Sequence, residues 1–166
     1  MIKEYNMSPL EINWVIPRKL AGSSFPYSNE LQILPSLNLM LVVNLTSRGL
    51  PNRLKKLLRA SSVDFKRFPI PDFALPTPQI IHQYLQTVCE TLQQDKAVLT
   101  HCIAGCGRTG TMIGLFLVTH GFSGEKALEI IHDVLGKTCP DTEKQTSLIH
   151  QYQGKCPNYS HCNGKL

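Results

Sequence analysis

Residues 101–110 of the chain have the sequence HCIAGCGRTG and lie between two apolar runs. The run before them, 97–100, is typical of a short strand, and the run after them, 111–118, is typical of a buried helix. The stretch therefore predicts a strand, a glycine-containing turn and a helix in direct succession. Such a turn points successive backbone N–H groups into one concavity at the positive end of the helix dipole, so we expect it to bind an anion.

The two ends of this turn carry a reactive side chain and an anion-binding one. Cys102 opens the turn and Arg108 closes it, with five residues between them. A cysteine attacks as a thiolate, which backbone amides at a helix N-terminus stabilise, and an arginine can hold two oxygens of a phosphoryl group at once. Thr109 lies at the first turn of the helix, where its hydroxyl could bond the sulfur or cap the helix. The pattern therefore predicts that Cys102 attacks a bound phosphate ester.

These residues resemble the HCxxGxxRTG signature loop of the cysteine-dependent protein tyrosine phosphatases, and most of all that of their small atypical dual-specificity branch. The resemblance implies that Cys102 becomes phosphocysteine, that His101 orients the loop and that Thr109 helps the thiolate leave in the second step. For His101, an ordinary buried histidine at a strand end is the alternative. The resemblance also implies a phosphate-binding loop made of Ile103, Ala104, Gly105, Cys106, Gly107 and Arg108.

A proline-rich stretch, 68–78, lies upstream and contains Asp72, thirty residues before Cys102. Its four prolines predict a stiff loop rather than a helix or strand. A carboxylic acid held above the anion site can protonate the leaving oxygen of a phosphate ester. The phosphatases that the signature loop resembles carry their general acid about this far upstream, so the resemblance assigns that role to Asp72. Asp64 is the alternative, although it lies at the start of a predicted strand.

The resemblance also suggests functional interpretations for two further positions. Gln145, in the last predicted helix, best matches a polar amide that positions the hydrolytic water in relatives, and ordinary helix surface is the other interpretation. Cys106 lies inside the loop, where relatives more often carry a bulky or polar residue. It could serve as inert packing, or it could trap an oxidised Cys102 as a disulfide.

Length and composition indicate one globular domain. The chain has 166 residues, of which 42% are hydrophobic and 17% charged, so it can bury about 70% of the surface of its unfolded form. We expect a lead-in over 1–12, a phosphatase domain over 13–153 and a tail over 154–166. The net charge of +5 favours acidic or phosphorylated partners over nucleic acid. The basic face of the predicted helix 48–59 is either solvated or part of acidic-substrate recognition.

Targeting signals and metal sites are not evident in the sequence. No apolar run reaches 18 residues, and no signal peptide or lipidation motif is present, so we expect a cytoplasmic protein without membrane insertion, and a monomer. The six cysteines are interpreted as thiols, since a catalytic thiolate needs reducing surroundings. We expect no cofactor and no metal. Cys156, His161 and Cys162, with His150, fit no common zinc spacing.

The predicted fold is α/β, with a mostly parallel central sheet of four or five strands flanked by helices, of the protein tyrosine phosphatase type. The site is expected at the carboxyl ends of the strands. The predicted activity is dephosphorylation of phosphotyrosine and phosphoserine or phosphothreonine in proteins. An RNA 5′-phosphatase, a phosphoinositide phosphatase and a catalytically silent phosphate-binding module are the alternatives. The predicted strands cover 13–16, 19–22, 39–45, 63–68 and 97–100. The predicted helices cover 30–34, where Pro35 ends the helix, 48–59, 78–94, 111–118 and 125–135, and a last helix begins within 139–145 and reaches about 152.

Overall fold

A computed structural model describes residues 10–27 and 29–155 of the chain. The predicted lead-in and tail, with Cys156, His161 and Cys162, fall largely outside these residues, so the domain boundaries remain predictions. The strands are β1 (Asn13–Ile16), β2 (Leu20–Ser23), β3 (Leu39–Asn44), β4 (Asp64–Arg67) and β5 (Ala97–His101). The helices are α1 (Asn52–Ala60), α2 (Pro78–Gln93), α3 (Gly107–Thr119), α4 (Gly124–Leu135) and α5 (Glu143–Gln151), and a 3₁₀ helix covers Asn29–Leu37.

The five strands form one sheet in the order β1-β2-β5-β3-β4. Only β1 and β2 pair antiparallel, and every other neighbouring pair is parallel, which confirms the predicted α/β class. The register aligns Ser23, His101, Asn44 and Arg67 in one row across β2, β5, β3 and β4. This row marks the carboxyl edge of the parallel strands, and the turn after β5 leaves it at the centre of the sheet.

Helices cover both faces of the sheet, so each face has its own apolar core. The 3₁₀ helix and α1 pack on one face, where Ala97 and Leu99 of β5 are buried. The helices α2, α3, α4 and α5 lie on the other face, with Val98 beneath them. The side chains of β5 alternate between the two faces because successive residues of a strand point in opposite directions.

Local signals explain where the helices begin. Thr77 caps α2 by accepting a hydrogen bond from the Ile80 N–H at 3.3 Å, and Pro78 occupies the first helical position, where a missing N–H costs nothing. Ser123 caps α4 by accepting from the Lys126 N–H at 3.1 Å. The expectation that Pro35 ends the short helix is wrong. The 3₁₀ helix continues to Leu37, and the Asn38 N–H donates to the Pro35 carbonyl at 2.9 Å.

Among the described residues, no helix is both long and apolar enough to cross a membrane. The cytoplasmic location remains a prediction.

Candidate active site

The turn after β5 folds into a cradle with Cys102 at its floor. Gly105 has a φ of +79°, and a Cβ at this position would lie 2.7 Å from the backbone of Ser23 and Ser24. Only glycine fits both restrictions. The Gly105 N–H donates to the Cys102 sulfur at 3.2 Å, and Cys102 is only 2% exposed. The predicted loop therefore encloses its sulfur and directs at least one backbone donor toward it.

Arg108 connects the cradle to the proline-rich loop. Its guanidinium is buried and donates through Nη1 to the Ile70 carbonyl at 3.1 Å. Its Nη2 lies 2.9 Å from Oδ1 of Asp72, whose side chain is 60% exposed. The structure thus brings Arg108 and Asp72, thirty-six residues apart in sequence, to one point at the rim of the cradle.

The edge of the sheet holds the proline-rich loop in this position. The Phe68 N–H donates to the Asn44 carbonyl and the Ile70 N–H to the Leu45 carbonyl, both at 3.0 Å. The loop therefore passes over the end of β3 toward Arg108. Asp64, the alternative acid, pairs with Leu41 at the opposite, amino end of β4 and is exposed, which places it away from the cradle.

His101 is fully buried beneath the loop. Its Nδ1 lies 3.1 Å from the Cys102 carbonyl, to which it donates, and its ring meets Phe25 edge-on at 5.2 Å. Burial lowers the pKa of His101 from 6.5 to about 4, and the charge of Arg108 adds to this effect against the hydrogen bond to Cys102. The ring is therefore neutral at pH 7 and fixes the carbonyl that precedes the loop.

Thr109 and Gln145 differ in how they contact the site. The Thr109 hydroxyl is buried and has no hydrogen-bond partner among the described residues, so its predicted bond to the sulfur is not present. Gln145 is also fully buried. Its Nε2 donates to the Ala74 carbonyl at 3.3 Å, and its Oε1 accepts from the Thr142 N–H at 3.3 Å. Gln145 is therefore not ordinary helix surface, because it joins the start of α5 to the proline-rich loop; its role toward water stays a prediction.

The interpretation of all six cysteines as thiols is wrong for one pair. Cys106 forms a disulfide with Cys139, with sulfurs 2.17 Å and Cα atoms 5.0 Å apart. Neither explanation offered for Cys106 holds, because its side chain leaves the cradle toward the segment between α4 and α5. Of the described cysteines, Cys89 and Cys102 are outside disulfides. Cysteine usage therefore no longer supports a reducing compartment.

Sequence reasoning missed one carboxylate beside the cradle. Asp141 lies against Gly107 so closely that a Cβ at that glycine would overlap its carboxyl group. Three large apolar side chains in or next to the loops of the site are exposed: Ile103 in the cradle loop, Phe73 directly after Asp72, and Tyr27, whose ring lies 4.7 Å from that of Phe25. The sequence offered no spacing that relates Asp141 to Gly107, because the intervening α3 and α4 bring them together.

No group of three or more His, Cys, Asp or Glu side chains that could hold a metal ion occurs in the described part of the chain.

Residues 9–163 match the family model described as PTP-SAK, a Swiss Army Knife protein, DSP-PTPase phosphatase domain. Among curated relatives, the chain is 31% identical over 137 residues to the dual specificity protein phosphatase Mpk3 of Drosophila melanogaster, covering 78% of this chain and 30% of the relative. It is 28% identical over 109 residues to the PRL-1 phosphatase of the same organism, covering 64% and 60%. The chain thus spans less than two thirds of the length of either relative.

Solved structures show the same fold. The crystal structure of Tk-PTP in its active form superposes with a TM-score of 0.75 at 27% identity, covering 86% of this chain and 95% of that one. The core catalytic domain of the PP-IP phosphatase SIW14 from S. cerevisiae superposes with a TM-score of 0.74 at 19% identity, covering 89% and 88%. The second likeness shows the fold alone.

Proposed function

The chain belongs to the DSP-PTPase phosphatase domain family, the cysteine-dependent protein tyrosine and dual-specificity phosphatases, and from this membership we propose that it removes phosphate from phosphotyrosine and phosphoserine or phosphothreonine in proteins. The observation that carries the proposal is the contact between Arg108 and Asp72 at the rim of the cradle that holds Cys102. That contact brings a nucleophile, an anion-binding fork and an acid to one place.

In the first half-reaction the Cys102 thiolate attacks the phosphorus in line with the leaving oxygen. The sulfur–phosphorus bond forms as the phosphorus–oxygen bond breaks, and Asp72 gives its proton to the departing oxygen. The loop N–H groups and the Arg108 guanidinium hold the three equatorial oxygens, which carry the developing charge. A phosphoryl group entering the cradle takes the place of the Asp72 carboxylate on Arg108, which leaves that carboxyl group at the rim beside the leaving oxygen.

In the second half-reaction water attacks the phosphocysteine. Asp72, now a carboxylate, accepts a proton from this water, and the Cys102 thiolate leaves. Gln145 of α5 donates to the Ala74 carbonyl of the loop that carries Asp72, and we assign it the positioning of the attacking water. Thr109 is the third residue of α3, and we assign its buried, unpartnered hydroxyl the role of donor to the departing sulfur.

Protein substrates are favoured over phosphoinositides by the walls of the cradle. The loop side chains Ile103 and Ala104 are neutral, and the exposed Tyr27 and Phe73 in the neighbouring loops are aromatic. Such a rim suits an amino-acid side chain, because aromatic rings pack against other rings and apolar stems.

Hydrolysis of a small aryl phosphate without added metal tests the mechanism. We expect the wild-type protein to turn over, and Cys102→Ser to have no activity, because a serine hydroxyl is not ionised at neutral pH. Cys89→Ser is the matched control, since Cys89 is the other described cysteine outside a disulfide and lies on α2. Turnover that survives Cys102→Ser would exclude the proposed mechanism. Phosphotyrosyl and phosphothreonyl peptides, a triphosphorylated RNA and phosphoinositides then compare the substrate classes.

A further inference from the structure

The positive charge of the chain is concentrated in one segment. Positions 48–67 contain seven basic residues and one acidic residue, a net charge of +6, whereas the whole chain carries +5. The basic residues are Arg48, Arg53, Lys55, Lys56, Arg59, Lys66 and Arg67. Within the described residues, none of the seven forms an ion pair with a carboxylate.

The sheet register places one end of this segment beside the cradle. Asn44 of β3 is aligned with Arg67 of β4 on one side and with His101 of β5 on the other. Neighbouring strands lie about 4.8 Å apart, so the backbone of Arg67 is about 10 Å from the backbone of His101 along the carboxyl edge of the sheet. Cys102 follows His101 directly. A cation at position 67 therefore lies within reach of a ligand whose phosphate occupies the cradle.

Two cations of the segment converge at this edge. The Arg67 Nη1 donates to the Ser47 carbonyl at 3.3 Å, and a Cβ built on Gly49 would lie 3.8 Å from the Arg67 guanidinium and 3.9 Å from the Lys55 ammonium. The Lys55 ammonium also lies 5.9 Å from the centre of the Phe65 ring. We name Arg67, Lys55 and the turn Ser47–Gly49 the basic site.

The turn in the basic site is held by buried side chains. The Asn44 Oδ1 accepts from the Thr46 N–H at 2.7 Å, and its Nδ2 donates to the Arg48 carbonyl at 3.0 Å. The Thr46 hydroxyl also donates to the Arg48 carbonyl, and both side chains are buried. These bonds fix the turn before any ligand arrives, so the cations around it lose less conformational entropy on binding.

The opposite side of the cradle is apolar. The loop after β2 lies across β5 from the basic site, and there the Phe25 N–H donates to the Ile103 carbonyl at 2.9 Å while the Phe25 and Tyr27 rings lie 4.7 Å apart. An inositol polyphosphate carries anionic groups around its whole ring. A peptide needs only one anion on one side, and the asymmetry of the cradle therefore favours a peptide.

We propose that the basic site binds an acidic side chain of a phosphorylated protein substrate, about three residues from the residue whose phosphate enters the cradle. We take a spacing of about three residues because the backbone of Arg67 lies about 10 Å from that of His101, and an extended peptide rises about 3.3 Å per residue. The acidic group is a carboxylate or a second phosphate, since a guanidinium and an ammonium together bind either. This inference rests on the proposed function.

Two matched phosphotyrosyl peptide pairs test it, one with Glu or Gln three residues before the phosphotyrosine and one with Glu or Gln three residues after it. For at least one pair we expect kcat/KM of the wild-type protein to be roughly 3- to 10-fold higher with Glu, the range of one or two partly exposed ion pairs. The ratio should fall toward one at high salt, because salt screens exposed charges. Equal rates for Glu and Gln in both pairs would overturn the proposal.

Variants test whether Arg67 and Lys55 cause the preference for Glu over Gln. Arg67→Ala and Lys55→Gln should each lower the Glu-to-Gln ratio, and the double variant should bring it close to one; the ratio is unaffected by a general change in turnover. Lys96→Ala is the matched control, because it removes one positive charge just before β5, at the opposite edge of the sheet, and should leave the ratio as it is in wild type. A ratio that persists in the double variant would contradict the proposal.

The same assays separate this inference from the function on which it rests. If aryl phosphate turnover depends on Cys102 but neither peptide pair shows a preference for Glu, the proposed phosphatase activity stands and the basic-site proposal is contradicted. If no substrate is turned over in a Cys102-dependent way, the proposed function itself is contradicted. Faster hydrolysis of soluble inositol polyphosphates or of phosphoinositide vesicles than of any peptide, lost in Arg67→Ala, would assign the basic site to that chemistry and overturn the peptide proposal.

Discussion

At the scale of single residues, Arg108 determines how the site is assembled. Arg108 is the second residue of α3 and is buried, and its guanidinium donates to the Ile70 carbonyl and pairs with the Asp72 carboxylate. Buried charges are stable only when paired and hydrogen-bonded. The acid therefore has two functions, as the partner of Arg108 in the free protein and as the proton donor in the proposed reaction.

The first prediction concerns Asp72→Asn. We expect kcat for an aryl phosphate with a poor leaving group to fall roughly 10²- to 10⁴-fold, because the amide has no proton to give. The loss should be smaller with a nitrophenyl leaving group, which needs no proton. Binding of inorganic phosphate, measured by calorimetry, should not weaken, since the carboxylate no longer competes for Arg108.

Asp64→Asn is the control for this experiment, because that carboxylate lies at the far end of β4. Its kcat should match wild type. An unchanged kcat for Asp72→Asn with the poor leaving group would mean that another residue is the acid.

The second prediction concerns Gly105→Ala. The new methyl group would have to avoid the Ser23 and Ser24 backbone at 2.7 Å while the residue keeps a φ of +79°. The loop must shift, and the N–H that now points at the Cys102 sulfur shifts with it. We expect kcat/KM for aryl phosphate to fall roughly 10²- to 10³-fold, the usual cost of losing one donor at the reacting centre.

Gly121→Ala is the control for this experiment, because it introduces backbone strain without a steric clash of the new Cβ. Gly121 also has a positive φ, of +95°, but a Cβ there meets nothing within 4 Å. This variant should be mildly destabilised, by about 1 kcal/mol in urea unfolding, with wild-type kinetics. Equal kinetics for the two variants would show that the approach to Ser23 does not control the loop.

At the scale of elements, two segments far apart in sequence are fixed to the cradle. The Cys106–Cys139 disulfide joins the start of α3 to the segment before α5. Gln145, three residues into α5, bonds the Ala74 carbonyl of the proline-rich loop. Together they hold α3, α5 and the loop that carries Asp72 as one frame around the sulfur.

The third prediction concerns the disulfide. Its cysteines are 33 residues apart, and closing a loop of this length stabilises a protein by roughly 3–4 kcal/mol through the entropy of the unfolded chain. Adding a reductant should therefore lower the free energy of unfolding of the wild-type protein by about that amount. Cys139→Ser should be destabilised to a similar degree and should not respond to reductant.

The control is Cys89→Ser, which keeps the disulfide and should still respond to reductant. Free-thiol counting on the unreduced protein gives a second measurement. A wild-type unfolding curve that is the same with and without reductant would contradict the prediction.

At the scale of the whole molecule, the order of the strands in the sheet decides which kinds of side chain surround the cradle. β5 is central, so its buried end holds the sulfur, while β2 contributes an apolar side and β3 and β4 a basic one. The same order buries His101 completely between the two cores, and this burial makes the stability of the fold depend on pH.

The fourth prediction follows from His101. Its pKa is about 4 in the folded protein and 6.5 ordinarily, so between these values the unfolded chain binds a proton that the folded one does not. Stability is therefore full above pH 6.5 and falls as the pH decreases to about 4. This histidine should account for a loss on the order of 3 kcal/mol over that range.

Urea unfolding at several pH values measures this contribution of His101 to the free energy of unfolding. His101→Asn should lack this part of the pH dependence even if the variant is less stable throughout. His82→Asn changes an exposed histidine of α2 and should retain the wild-type slope. Parallel pH dependences for wild type and His101→Asn would contradict the assignment.

The sequence by itself determined the strand–turn–helix around Cys102 and Arg108 and the α/β class, and its resemblance to the phosphatases pointed to Asp72 as the acid to examine. The first two features depend on local propensity and on the spacing of neighbouring residues. Only the tertiary structure decided that Cys106 pairs with Cys139, that Asp141 lies against Gly107, and that Arg67 and Lys55 converge beside the cradle. Those contacts join residues from separate elements, and their distances depend on strand order and helix packing, which no local pattern specifies.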